Sequence, residues 1–322
     1  MNPFEYVSAT TPDEAISYIG KNGRYLAGGI DLLGEMKDYI ISPDILVNVK
    51  SAVNPSIVFL KGDLAGWALP ASVTVSELVA DQGLRSTLPG LIEAATEIGS
   101  PQIRDMATLG GNLLQHSRCW YYRQPDIVCL KRGGTTCYGT GGENKYLALY
   151  SGCACVSPIV SNLSVILTAL DAKVRVKRDG KEQTLSMHEL YQEAWKNPAA
   201  HNALQPQDFL LSVHILTRVN RSAYRQVSEK NAFDWALVSC AAAGNVTDGK
   251  IHDARVVLGS IAPVPYMVEE ANKFLEGKPL TDETASKAAD LILKDAKPLA
   301  QNGYKVPLAH TLIRRTLLAL NA

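Results

Sequence analysis

The sequence predicts an α+β fold in two domains, and three observations carry that expectation. The chain has 322 residues, a length for which about two domains is the ordinary expectation. A short β–Gly-Gly–α–β unit stands near its start, with glycines at 28 and 29. From residue 217 onward the pattern becomes three strands followed by helices, which points to a separate α+β domain over 217–322.

In chain order, Thr11 is placed as an N-cap, Pro12 suits the first helical turn, and Glu14 completes a capping box ahead of a helix over Asp13–Ile19. Tyr25–Ala27 follows as a strand, Gly28–Gly29 as a turn, Asp31–Tyr39 as a helix and Ile45–Val49 as a second strand. These make the small part, 1–52, of a first domain over 1–216. Asn54–Pro55 opens its larger part, 53–216. There Ile57–Lys61 reads as a strand, Ser76–Ala80 and Leu91–Ile98 as helices, and Thr108–Gln115 as a second Gly-Gly turn running into an apolar stretch. Ile159–Leu170 reads as a helix and Lys173–Lys177 as a strand ending in an Asp179–Gly180 hairpin turn. In the second domain Tyr224–Val227, Trp235–Val246 and Arg255–Ser260 are expected as strands, with a hairpin turn at Asp248–Gly249. Val268–Leu275, Thr284–Lys294 and Leu308–Leu320 are expected as helices.

Composition narrows the function. A hydrophobic share of 46% and a charged share of 20% are those of a globular chain with a sizeable core. Lys+Arg and Asp+Glu are equal at 32 each, so no basic excess exists to neutralise phosphates, and a nucleic-acid partner is not expected. No apolar run approaches ~18 residues, so no membrane span is expected. Met1–Gly20 lacks a basic start followed by an apolar stretch. A cytoplasmic location is expected, with export alongside a signal-bearing partner left open.

Two glycine loops come next. Leu26-Ala27-Gly28-Gly29-Ile30-Asp31-Leu32-Leu33 sets two glycines between a strand and a helix, and Thr108-Leu109-Gly110-Gly111-Asn112 repeats the device. Such a loop is either a tight turn or a place where backbone N–H groups approach a phosphate. Neither loop is a G-x-G-x-x-G or P-loop motif. Two in one domain point to a dinucleotide, with Thr108 and Asn112 able to bond a phosphate or a ribityl hydroxyl.

The cysteines are unevenly spread. Cys119, Cys129, Cys137, Cys153 and Cys155 fall in one segment, whereas Cys240 stands alone in an apolar run and reads as a core thiol. The segment 118–155 is rich in glycine and poor in apolar residues, so burial does little to order it, and thiolate ligation would supply the missing folding energy. Nine, seven and seventeen residues separate Cys119, Cys129, Cys137 and Cys155. On spacing alone a four-iron cluster, a zinc ion and unligated thiols all stand, and Cys153 competes with Cys155. Cys119 lies only seven residues past Asn112. A redox cluster beside a redox dinucleotide has an electron-transfer use that zinc lacks.

Taken with Asn302-Gly303-Tyr304-Lys305-Val306-Pro307, these loops resemble the FAD-binding subunits of the xanthine dehydrogenase family of molybdenum hydroxylases, over nearly the whole chain. Arg118-Cys119-Trp120-Tyr121-Tyr122 and the three later cysteines resemble the branch with an extra [4Fe-4S] cluster, that of periplasmic aldehyde oxidoreductase and 4-hydroxybenzoyl-CoA reductase. The resemblance implies a two-part FAD domain of the vanillyl-alcohol-oxidase type, then a domain like the C-terminal one of carbon monoxide dehydrogenase flavoproteins. It implies FAD held by residues 26–33 and by Thr108, Gly111, Asn112, Asn162, Leu210, Leu211 and Gln226. It also implies a cluster ligated by Cys119, Cys129, Cys137 and Cys155. The implied partners are a large molybdopterin subunit and a small subunit with two [2Fe-2S] clusters, assembled as a dimer of heterotrimers. The implied function is electron transfer between the molybdenum centre and an external acceptor, or the reverse flow in a reductase.

Three positions depart from the family. Ile30 stands where relatives carry Thr, and Ile159-Val160-Ser161-Asn162 where they often carry His-Pro-Ser-Asp. Gln226 stands where they carry Lys, and losing that cation near the flavin is expected to lower its potential. His116 beside the second loop is either an FAD contact or a backbone-bonded histidine. Trp120, Tyr121 and Tyr122 either shield a cluster or pack as core. The other histidines show no metal-ligand spacing, and no hydrolytic triad or carboxylate pair stands out.

Overall fold

The computed structural model describes residues 1–20, 22–62 and 65–321. Three sheets organise them. The first is parallel, with β1 (Glu5–Ser8) and β2 (Gly23–Leu26) on either side of β3 (Ile45–Asn48). Parallel neighbours need crossovers, supplied by helices at Pro12–Ile19 and Leu32–Lys37. Thr11 caps the first, its hydroxyl accepting from Glu14 N at 3.2 Å. The return bond of the box goes one residue further back than expected: Glu14 Oε2 takes the N–H of Thr10 at 2.7 Å. Strand β1 escaped sequence analysis because its four residues are mostly exposed and show no apolar alternation.

The second sheet is antiparallel, in the order β4 (Val58–Leu60), β5 (Gly66–Pro70), β8 (Phe209–Leu216), β6 (Lys173–Arg178), β7 (Lys181–Ser186). Asp179 and Gly180 both take positive φ in the β6–β7 turn, as a tight primed hairpin requires. The third sheet runs β9 (Arg221–Val227), β10 (Val238–Thr247), β11 (Lys250–Gly259), β12 (Tyr266–Met267), with β13 (Lys278–Pro279) beside β11. The Asp248–Gly249 hairpin is present, again with both φ positive. β10 starts at Val238, so Trp235, expected in the strand, lies in the preceding loop. The helix expected from Ile159 starts at Asn162, because Ser161 Oγ caps it by accepting from Ser164 N at 3.0 Å.

That helix, Asn162–Ala169, joins the halves. Leu163 and Ile166 share one buried cluster with Leu69 of the second sheet and with Tyr224, Ala241 and Val257 of the third. Glycines permit the close approach: a Cβ on Gly90 would sit 2.8 Å from Ala223 N, and one on Gly259 2.6 Å from Val165. No helix among the described residues is long and apolar enough to cross a membrane.

The C-terminal motif is a staple. Lys305, 0% exposed, donates from Nζ to the carbonyls of Tyr146 and Ser260 at 2.9 and 2.8 Å. Asn302 donates from Nδ2 to Leu147 and Ala148 O at 3.0 and 3.1 Å. Both side chains thereby hold the end of the cysteine segment to the helix Lys305–Leu318.

Burial lowers the Lys305 ammonium to about 7. Between there and the ordinary lysine value the unfolded chain holds the extra proton, so this group adds stability as pH rises. Lys305→Met should cost about 2 kcal/mol near pH 8 by stranding two buried carbonyls. The gap between wild type and variant should widen from pH 7 to 10 in denaturant titrations. A gap that stays level would show that Lys305 keeps its charge in the fold.

Candidate functional site

Both glycine loops line one cavity of about 540 Å³, within the range of small-molecule and cofactor sites. The first loop is pressed against the second: a Cβ on Gly28 would lie 1.9 Å from Met106 O. Gly29 has φ +74°, a conformation that favours glycine. The second loop is pinned by Leu109 N and Gly110 N, which donate to Val73 O and Ala71 O at 2.9 and 2.8 Å. Thr108 Oγ1 accepts from Gly111 N at 3.1 Å. It therefore serves first as the cap of the turn Leu109–Leu113.

Ala27, Gly28, Gly29, Ile30, Asp31, Leu32, Thr108, Gly111, Asn112, Asn162 and Leu210 all line this cavity. Leu26, Leu33, Leu211 and Gln226 lie outside the lining. The side chains of Leu26 and Leu33 crowd Gly29 from behind, and Leu211 packs on the N-terminal core. Gln226 instead fixes two residues that do line the cavity: Oε1 accepts from Asn162 Nδ2 at 3.0 Å and Nε2 donates to Glu97 at 3.1 Å. A lysine at 226 would meet that carboxylate, which would offset much of its charge. Asn112 is braced the same way, its Oδ1 accepting from Ser161 Oγ at 2.7 Å.

Sequence reasoning passed over a buried charge network on the cavity wall. Asp31 accepts from His116 N at 2.7 Å and pairs with Arg123 at 2.7 Å and Arg118 at 2.9 Å. Burial pushes the Asp31 carboxyl up, but the two guanidinium groups and the His116 N–H outweigh it and hold the group below its ordinary value. Glu35, one turn further along the helix and 1% exposed, takes Tyr122 OH at 2.8 Å and His116 Nδ1 at 3.0 Å. His116 is thus a lining residue bonded to carboxylate. It stacks on His201 with centroids 4.0 Å apart, and burial, then the nearby His116, Lys131 and Arg123, hold His201 neutral, well below the usual histidine range. Arg118 lies over the Trp235 ring at 4.6 Å, and its Nε has no partner. Trp235 and Phe233 close this side of the lining. An i, i+4 acidic pair followed by a distant His-x-Arg was the available signal for the network.

The second site adjoins the first. Cys119, Cys129, Cys137 and Cys155 line one small pocket with Tyr121, Tyr122 and Lys131. Cys153 is not in that lining, and its Sγ lies 3.8 Å from Ser151 Oγ. A hydrogen bond between Cys137 and Cys155 lowers the first thiol and raises the second, and burial raises Cys119. Lys131 is buried and donates from Nζ to Ala200 O at 2.8 Å; burial pushes its ammonium below the ordinary lysine range, and the nearby cysteine sulfurs, Cys155 first, oppose that only in part. Among the described residues the one trio of metal-ligating atoms within 4.8 Å of each other is Asp31, Glu35 and His116, already taken up by Arg118 and Arg123. No three thiols come that close.

A family model described as "FAD binding domain in molybdopterin dehydrogenase" matches residues 2–215, and one described as "CO dehydrogenase flavoprotein C-terminal domain" matches residues 222–320. The chain is similar to the aldehyde oxidoreductase FAD-binding subunit PaoB of Escherichia coli (strain K12), 30% identical over 100% of this chain and 98% of the relative. It is also similar to the carbon monoxide dehydrogenase medium chain of Hydrogenophaga pseudoflava, 23% identical over 98% of this chain and 96% of the relative. Among solved structures, a chain of the reconstituted CO dehydrogenase from Oligotropha carboxidovorans superposes with a TM-score of 0.77 at 21% identity, over 99% of this chain and 98% of that one. That likeness establishes the fold.

Gly28→Ala would set a methyl against Met106 O and part the two loops. Dinucleotide affinity should fall at least about tenfold, the equivalent of a modest overpacking strain, as read by flavin fluorescence titration. Undiminished affinity would show that the loops do not cradle the ligand.

Proposed function

The chain belongs to the family of FAD-binding domains of molybdopterin dehydrogenases, and from that premise we propose that it is the FAD and [4Fe-4S] electron-transfer subunit of a heterotrimeric molybdenum hydroxylase. Its partners would be a large molybdopterin-binding subunit and a small subunit with two [2Fe-2S] clusters, the trimer repeated as a dimer. It would pass electrons between the molybdenum centre and an external acceptor. In a reductive complex of the hydroxybenzoyl-CoA reductase kind the direction reverses. The FAD domain would comprise 1–216 and the C-terminal α+β domain 217–322.

The observation that carries the iron–sulfur part is the pocket itself: four thiols from separated points of a glycine-rich segment line one space, and residues at the start of that segment bond Asp31 of the first glycine loop and Glu35 of the helix after it. Zinc sites usually draw on Cys pairs two to four residues apart, and no two of these four cysteines are that close in sequence. FAD, when bound, supplies exchange between one- and two-electron carriers, and the cluster a one-electron relay.

The chain's residues would do the rest. The glycine loops bring backbone close to the pyrophosphate, and Arg24, Lys50 and Arg118 place positive charge in the same lining. Asn112 and Asn162 are held by Ser161 and Gln226, which aims their remaining polar atoms. Phe233 and Trp235 shield part of the cavity from water. Lys131, in the lining of the thiol pocket, would offset part of the charge of deprotonated ligands.

Metal and labile-sulfide analysis of the anaerobically purified chain tests the function. About four irons and four sulfides per chain are expected. Changing Cys119, Cys129, Cys137 or Cys155 to Ser should lower both, and Cys153→Ser should leave them near the wild-type level. One zinc per chain and no sulfide would replace this function with that of a zinc-stabilised FAD module.

A further inference from the structure

We propose that Tyr122 and Glu35 couple the two sites, so that filling the cysteine pocket tightens FAD binding and bound FAD tightens retention of the metal. The inference rests on the iron–sulfur function proposed above. Glu35 lines the FAD cavity, on the helix that follows Gly28–Gly29. Tyr122 lines the cysteine pocket, three residues past Cys119. The phenol donates straight across the wall to the carboxylate at 2.8 Å.

The bond is the centre of a wider joint. His116 Nδ1 reaches Glu35 at 3.0 Å, and Arg123 stands 3.6 Å from it. Asp31, in the first glycine loop, takes Arg118, Arg123 and the His116 N–H at 2.9, 2.7 and 2.7 Å. Among the described residues, every partner of the two carboxylate groups therefore comes from residues 116–123, and Cys119 lies in the middle of that stretch. Ligation of Cys119 fixes the turn Trp120–Arg123 that follows it, since metal binding orders the backbone around its ligands.

With that turn ordered, Glu35 keeps its donors. With the turn loosened, a carboxylate that is almost wholly buried loses them, and the helix carrying it must shift to regain water. The glycine loop ahead of that helix moves with it. Binding at one site then biases the geometry of the other, and the coupling must act equally in both directions. Tyr122 is a positioning residue here, acting on FAD through Glu35.

The test is the FAD dissociation constant of the full chain, iron-loaded and chelator-stripped, by fluorescence titration, with iron content measured on each sample. Loaded protein should bind FAD about tenfold more tightly, within the usual span of such couplings. Tyr122→Phe should shrink that ratio toward one, and Glu35→Gln, nearly the same shape, should do likewise, with circular dichroism reporting the fold of both. The reverse measurement, iron retained at equilibrium against a competing chelator, should rise with FAD in wild type alone. Equal FAD affinity of loaded and stripped wild type overturns the coupling and leaves the iron–sulfur function intact. A full-sized ratio in folded Tyr122→Phe and Glu35→Gln removes these two residues from it. A chain that takes up no iron overturns the function and the coupling together.

Discussion

A buried carboxylate pair holds this molecule's functional half together. Asp31 and Glu35 are one helical turn apart, on a helix whose first task is to cross between two parallel strands. Burying them would be prohibitive without partners. Those partners lie some 85 residues later in the chain, in His116, Arg118, Tyr122 and Arg123. The small N-terminal sheet and the cysteine segment thus depend on each other: one supplies charges that the other must neutralise. Where they meet, the two candidate sites share a wall, and neither can be reshaped alone.

The opposite flank of the cysteine segment is fixed by different physics. Lys305 has no acidic partner among the described residues and is held by two carbonyls, with Asn302 beside it. Tyr304 OH reaches Lys145 O at 2.9 Å. The segment is thus clamped at its start by charge pairs and at its end by hydrogen bonds from the C-terminal helix. Its middle, rich in glycine, is tied by scattered hydrogen bonds, such as Lys131 Nζ to Ala200 O and Arg132 to the carbonyls of Gln124 and Ile127, around the thiol pocket. The four thiols therefore lie between two rigid anchors, which would suit the proposed metal site, since ligation can order a segment that has no core of its own.

Residues whose roles are set by local chemistry were legible in the sequence. Thr11, Gly28–Gly29, Asp179–Gly180 and Asp248–Gly249 each sit where a cap, a close approach or a positive φ demands them. The second sheet was harder to read: β5 is five residues long, and β7 is exposed along most of its length, so neither shows clear alternation. At the site, the glycine loops and the four thiols announced themselves by residue type. Glu35 and Tyr122 did not, because a buried acid on a short helix looks like a surface acid until its distant donors are known. Gln226 shows the converse: family resemblance implies a place near the flavin, while its side chain lies outside the cavity lining and bonds two residues within it, Asn162 and Glu97.

That arrangement bears on how the cavity carries charge. Asp31 is matched by Arg118 and Arg123, Asp208 pairs with Arg178 at 2.7 Å, and Glu97 meets the neutral amide of Gln226. Arg24 and Lys50 line the same cavity, and neither forms an ion pair among the described residues. Positive charge is therefore unspent near the first sheet, whereas the charge beside Asn162 is the Glu97 carboxylate, met by a neutral amide. A dinucleotide carries its two formal charges on the pyrophosphate and none on its oxidised ring. An anchor built on this pattern would grip the phosphates by charge and leave the ring to hydrogen bonds and apolar contact. The ring's potential would then answer to small changes in neutral donors such as Asn162, and Gln226 would act on it only through the residues it braces.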